Sequence, residues 1–182
     1  MPVYIAMLRG INVSGQNIIR MEDLRRICTK LGFRNVETYG QSGNAVFLAK
    51  GMPPSTLANH TTAALRDDLG LSVPVLIKTV DEIGDVVAGN PFPRETGIDV
   101  TKLHVTFLSA PVPARALKNL EALPKQSDQF RVGRREIYLY CPDGYGRTKL
   151  SNAALEKALS VVGTTRNWRT VTALLDKASR MR

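Results

Sequence analysis

Ten residues carry the polar chemistry of this sequence. Arg9 and Asn12 follow the apolar run Tyr4-Ile5-Ala6-Met7-Leu8, and Gln41, Ser42 and Asn44 stand in Gly40-Gln41-Ser42-Gly43-Asn44. Arg147, Lys149 and Asn152 belong to a basic, glycine-containing stretch, and Arg166 and Asn167, in Thr164-Thr165-Arg166-Asn167-Trp168, stand at an expected helix start. Arginine and lysine bind carboxylates and phosphates through charge-assisted hydrogen bonds, and side-chain amides add directional ones. The set reads as an anion-binding constellation. No histidine, aspartate or glutamate accompanies it as a general base.

Other chemistries find less support. The histidines, His60 and His104, fall in different elements, with no HxxxH, HExxH or Cys/His cluster, so the sequence predicts no metal site. Ser42 lacks the G-x-S-x-G spacing and the strand-to-helix setting of a nucleophile elbow, and reads as a turn residue. Gly10 to Asn17 has two glycines at Walker spacing, with Gln16 and Asn17 where lysine and serine or threonine belong, so it is not a P-loop. Asp143-Gly144-Tyr145-Gly146-Arg147-Thr148-Lys149 runs toward an expected helix N-terminus, where free N–H groups favour anions. Ser151 and Asn152 are the expected caps there. No cofactor motif is present. Tyr138 and Tyr140 alternate onto one strand face, which Arg134 is expected to share; RNA-recognition sheets stack bases on such aromatics, but packing of the tyrosines within the protein is the simpler expectation.

The elements that position these residues follow from apolar spacing. Val3–Leu8 reads as a central strand. Leu24, Ile27, Cys28 and Leu31 stripe a helix opening at Met21 and closed by Gly32. Strands at 36–39 and 45–48 flank the turn at 41–44. A second helix starts at Pro53-Pro54-Ser55, a strand covers 73–78, and Thr79-x-x-Glu82 is a capping box for a short helix. After a Pro/Gly-rich joint at 90–98 the order recurs. Strand 103–108 leads to a helix at 114–123 striped by Leu117, Leu120 and Leu123. Strands 129–132 and 136–140, a helix at 150–159, a short last strand started by Val161-Val162 and a final helix striped by Val171, Leu174, Leu175 and Ala178 complete it.

The expected fold is therefore α+β: a tandem duplication of two ferredoxin-like βαββαβ units, 1–91 and 99–182, each followed by an extra helix. With 182 residues, each unit alone buries little surface, so the two are expected to pack as one globular body.

Charge is uneven. Of the formal +9, residues 1–91 hold 9 Lys and Arg against 8 Asp and Glu, and the remainder 16 against 8. A basic half attracts polyanions and phosphorylated molecules. The two cysteines, Cys28 and Cys141, are far apart and read as buried thiols in a reducing cytoplasm. No apolar run reaches bilayer length, and the start reads as a strand, not a signal peptide, so no membrane partner is expected.

The motifs Leu8-Arg9-Gly10-Ile11-Asn12-Val13-x-Gly15, Leu31-Gly32-Phe33 and Tyr39-x-Gln41-Ser42-Gly43-Asn44-x-Val46-Phe47 together resemble the bacterial family catalogued as domain of unknown function 1697. Asn90-Pro91-Phe92, Lys149-Leu150-x-Asn152 and Thr164-Thr165-Arg166-Asn167-Trp168-x-Thr170-Val171 extend the resemblance. It implies a cytoplasmic bacterial α+β protein and no activity. The leading expectation is a binding module that holds a nucleotide or nucleic-acid segment in a basic cleft between the halves. An enzyme acting on a small anionic substrate without metal, and a protein-interaction module whose polar residues only fix turns and caps, are the alternatives.

Overall fold

A computed structural model describes residues 1–182. It is a mixed α+β structure with two four-stranded antiparallel sheets and six α-helices. The chain divides into two compact units. The first comprises Met1–Asp85 and Thr172–Arg182, the second Val86–Val171.

In the first unit β1 (Val3–Leu8) is buried at every position. It lies between β3 (Asn44–Leu48) and β4 (Val75–Thr79), and β2 (Arg34–Tyr39) pairs only with β3 at the edge, giving the order β2-β3-β1-β4. A strand covered on both faces needs apolar side chains at successive positions, which is why β1 reads as a continuous run. Helix α1 (Met21–Lys30) buries Met21, Leu24, Ile27 and Cys28. Its acidic first turn, Glu22 and Asp23, complements the helix dipole, and Gly32 beyond its end takes φ +84°. Helix α2 (Pro54–Leu69) starts with proline in the first turn, buries Leu57, Thr61 and Leu65, and ends at the left-handed Gly70. Tyr4, Ala6, Leu8, Phe47, Leu24, Leu57 and Leu65 meet in one core, where the Phe33 and Phe47 rings stack at 4.3 Å.

The capping box forms as expected. Thr79 N–H donates to Glu82 Oε2 at 2.8 Å and Glu82 N–H to Thr79 Oγ1 at 3.1 Å, opening α3 (Val80–Gly89). The tail of the last helix also belongs to the first unit. Lys177 pairs with Glu37 of β2 at 2.7 Å, and Arg182 pairs with Asp81 of α3.

In the second unit β5 (Leu103–Leu108) is central, between β7 (Glu136–Tyr140) and β8 (Gly163–Asn167), with β6 (Gln129–Val132) outside β7. Helices α4 (Leu117–Glu121) and α5 (Asn152–Leu159) share a core with Leu108, Ile137, Leu139 and Cys141.

Three sequence expectations are corrected here. The helix at 114–123 shrinks to a 3-10 turn, Ala114–Ala116, followed by α4. Pro113 and Pro124 bound it, and so short a helix buries only Leu120 of its three leucines, leaving Leu117 41% exposed. The last strand, expected to start at Val161-Val162, begins just beyond them at Gly163 as β8, whose β-branched Thr164 and Thr165 pair with Phe107 and Thr106. Arg134 lies in the β6–β7 turn and not on the tyrosine face. Tyr138 is buried, its hydroxyl donating to Val86 O at 3.0 Å, and Tyr140 packs on Phe92 at 6.0 Å, so neither tyrosine offers a stacking platform. The final helix, α6 (Trp168–Arg180), buries Val171, Leu174 and Ala178 as its stripe requires.

Candidate functional site

The polar residues fall into two groups, one in each unit. In the first unit the chain leaving β1 turns through Gly10, Asn12, Ser14, Gly15 and Asn17, all at positive φ. Glycine and asparagine tolerate this backbone best, which accounts for their density here. Asn12 clasps the loop. Its Nδ2 donates to Ile19 O at 3.0 Å and to Gln41 O at 2.7 Å, while its Oδ1 accepts from Ile19 N–H at 2.9 Å. The clasp therefore ties the loop to the β2–β3 hairpin.

That hairpin is locked in turn. Asn44 Nδ2 donates to Tyr39 O and to Ser42 Oγ, both at 3.0 Å. Gly43 N-terminal to it takes φ +80°, and a Cβ there would stand 2.6 Å from Ile11 Cδ1 and 2.8 Å from Leu8 Cβ. Only glycine lets the hairpin close on the loop. Arg9 is half-buried at the end of β1, with its own N–H bound to Pro74 O at 2.9 Å. Gln41 is exposed at the hairpin tip.

In the second unit Asn152 is the hub. Its Nδ2 donates to Glu156 Oε1 at 3.1 Å and Gly163 O at 3.0 Å, and its Oδ1 accepts from Thr165 Oγ1 at 3.0 Å. Its N–H donates to Tyr145 Oη at 2.9 Å. Thr165 continues to Thr106 Oγ1 at 2.7 Å, and His104 stacks on the Tyr145 ring at 4.6 Å. Burial pushes the Tyr145 phenol up and holds the His104 imidazole below its usual value. Tyr145, Thr165, Thr106 and Glu156 are not among the residues singled out from the sequence. The Asn152–Glu156 spacing of four was the available signal, since such pairs face each other on a helix.

The expected anion site at the N-terminus of α5 is taken up internally. Ala154 N–H is capped by Ser151 Oγ at 3.2 Å and Asn152 N–H by Tyr145, so both donors are used within the fold. Arg147 ends the 3-10 turn Tyr145–Arg147 and Lys149 follows it. Both are exposed, and neither has a carboxylate within ion-pair range. The turn beneath them is held by Thr148, which donates to Asp128 and accepts from Leu150 N–H.

Arg166 stands within β8, not at a helix start. It is 6% exposed and donates to Thr164 Oγ1 at 2.6 Å and Thr165 O at 3.0 Å. Burial pushes its guanidinium down to about 10, leaving it charged at neutral pH. Asn167 caps α6, its Oδ1 accepting from Thr170 N–H at 2.8 Å. The described residues hold no group of three or more His, Cys, Asp or Glu that could take a metal ion. Two surface hollows, of about 270 and about 360 Å³, are lined by none of the ten residues.

An α+β protein with two four-stranded antiparallel sheets, its motif asparagines spent on joining loops, is the class that fold and site define. The chain belongs to the family described as "Protein of unknown function (DUF1697)", whose model matches residues 1–138. Arg147, Lys149, Asn152, Arg166 and Asn167 lie beyond the matched stretch. Among solved structures, a conserved bacterial protein from Streptococcus pneumoniae is similar, with a TM-score of 0.76 at 19% identity over 97% of this chain and 98% of that one. At that identity the likeness establishes the fold. No curated protein matches the chain. No helix is long and apolar enough to cross a membrane.

Proposed function

We propose that this protein binds a phosphate-bearing ligand, a nucleotide or a nucleic-acid segment, and that Arg147 and Lys149 are its principal contacts. The observation that carries this is their pairing state. Asn12, Ser42, Asn44, Asn152 and Asn167 are engaged in holding turns and caps, whereas Arg147 and Lys149 stand exposed and without carboxylates on a turn braced from beneath. A cation on a fixed backbone loses less entropy on binding than one on a mobile loop. The surrounding unit is basic: residues 86–171 contain 13 Lys and Arg against 7 Asp and Glu, a net +6. In the first unit Gln41, exposed at the hairpin tip, offers a directional amide. Melting temperature measured against inorganic phosphate, mono- and triphosphate nucleotides and short oligonucleotides tests the reading. A rise that is lost in Arg147→Glu/Lys149→Glu supports it, and no shift with any of these probes at low salt sinks it.

The same reading takes each sheet with its helices as a ferredoxin-like βαββαβ unit and the two as a tandem duplication. The matching strand orders, β2-β3-β1-β4 and β6-β7-β5-β8, support this. Superposing the units strand on strand tests it; helices falling on opposite faces would overturn it. A cytoplasmic setting fits the free, buried Cys28 and Cys141, and recovery of the native protein from a secreted fraction would contradict that.

A further inference from the structure

The hairpin joining β6 to β7 ends in Gly133-Arg134-Arg135, and its counterpart in the first sheet, Gly40-Gln41-Ser42-Gly43, is uncharged. The turn is held at three backbone points. Gly133 N–H donates to Glu136 O, Val112 N–H to Arg134 O and Leu108 N–H to Arg135 O, each at 2.9 Å. None of residues 133–135 has a positive φ, so the backbone itself asks for neither arginine. Val112 also brings its own neighbours to this end of the sheet. Arg115 lies three residues on, and Lys118 follows within α4. All four cations are exposed and none is within ion-pair range of a carboxylate. The carboxylate at the turn, Glu136, accepts from Arg135 N–H at 3.0 Å and from Tyr138 Oη at 3.4 Å.

We infer that this end of the second sheet, Arg115, Lys118, Arg134 and Arg135, docks a nucleic-acid strand through its phosphates. Four like charges on a braced turn and on the segment that follows its hydrogen-bonded partner Val112 create a positive potential that a polyanion relieves. Three of the four are arginines, whose planar forks grip phosphate oxygens in pairs. No aromatic side chain lies free beside them, since Phe130 is covered by the Lys125 ammonium at 5.5 Å. Contact is therefore with backbone phosphates and independent of base sequence. This surface is distinct from Arg147 and Lys149. The turn precedes β7 and their loop follows it, so five strand residues, roughly 17 Å, separate the two. A polymer repeats its phosphates along its whole length, at about 3.4 Å of axis per nucleotide in a duplex, so it spans a distance that the phosphates of a free nucleotide do not. The inference rests on the phosphate-binding reading for its chemistry and not for its residues.

Binding of fluorescent single-stranded RNA and DNA oligonucleotides to the full chain, titrated across salt, is the test, with inorganic phosphate, a free nucleotide and anionic lipid vesicles as parallel probes. Four phosphate contacts give a log–log salt slope near −3, and Arg134→Glu/Arg135→Glu reduces its magnitude by about 1.4 and the affinity by at least about tenfold. An unchanged thermal melt of the variant establishes that it folds, and Arg134→Gln/Arg135→Gln serves if the charge reversal does not. Oligonucleotide binding that survives both variants but is lost in Arg147→Glu/Lys149→Glu overturns this inference and leaves the proposed function standing. Absence of oligonucleotide binding at low salt, with nucleotide binding intact, overturns it as well. Vesicle binding without oligonucleotide binding reassigns the surface, with exposed Val132 and Leu117 as its apolar contacts.

Discussion

Asn12 is the residue whose role changes most between sequence and structure. Its amide makes three hydrogen bonds from a backbone at φ +53°. Asn12→Ala leaves Ile19 N–H and Gln41 O without that partner and places alanine in the left-handed region. The expected loss is about 2–3 kcal/mol, read by urea denaturation. Gly43→Ala meets Ile11 and Leu8 below contact distance and adds backbone strain, so it should cost about 1–3 kcal/mol or more in the same measurement. His104 gives a pH prediction. Burial lowers its folded value below the usual 6.5. The unfolded chain therefore takes up the proton first as pH falls through 6.5, and stability declines below that pH and is insensitive to this group above it. His104→Phe keeps an aromatic face for Tyr145 to stack on. The stability difference between wild type and variant should be flat above pH 7 and slope below 6.5; a flat difference throughout would refute the assignment. The thiols are a further check. Burial pushes Cys141 up to about 11 and Cys28 higher still, so neither should react with a thiol reagent at pH 8 until the protein is unfolded.

At the scale of elements, the capping box at Thr79 and Glu82 is the clearest local device, and Thr79→Ala should cost about 1 kcal/mol in thermal unfolding. It was legible because its two residues are three apart and the chemistry is local. So were β1, α1, α2 and the hairpin β6–β7, whose signals are runs and spacings within a few residues. β8 was not. Gly163-Thr164-Thr165-Arg166-Asn167 has no apolar alternation, and what makes it a strand is pairing with β5, some sixty residues earlier. A polar strand beside a buried one is decided by tertiary pairing, which a local window does not contain. The same holds for the site. The types and positions of the ten polar residues pointed to loops and caps, but whether an asparagine faces a ligand or a carbonyl depends on partners such as Ile19, Gln41 and Gly163, distant in sequence. Arg166 could not be assigned to the interior without knowing that β8 extends through it.

At the scale of the whole molecule, the two compact units do not divide the chain at its middle. The first is built from Met1–Asp85 and Thr172–Arg182, the second from the continuous stretch Val86–Val171. Residues 172–182 bring buried Leu174 and Ala178 and the Lys177–Glu37 ion pair to the first unit. Deleting them should lower its melting temperature and raise binding of a hydrophobic dye, with no such change if the segment is only an appendage. That division bears on biogenesis. Domains commonly complete their folding in the order they are synthesised. The second unit needs no residue after Val171, whereas the first needs the segment that is made last. The stretch made first therefore cannot be completed until residues 172–182 have followed it out of the ribosome. Until they dock, the chain displays apolar surface that the finished protein hides, and a chaperone meeting it would find its binding site in the part of the chain made first.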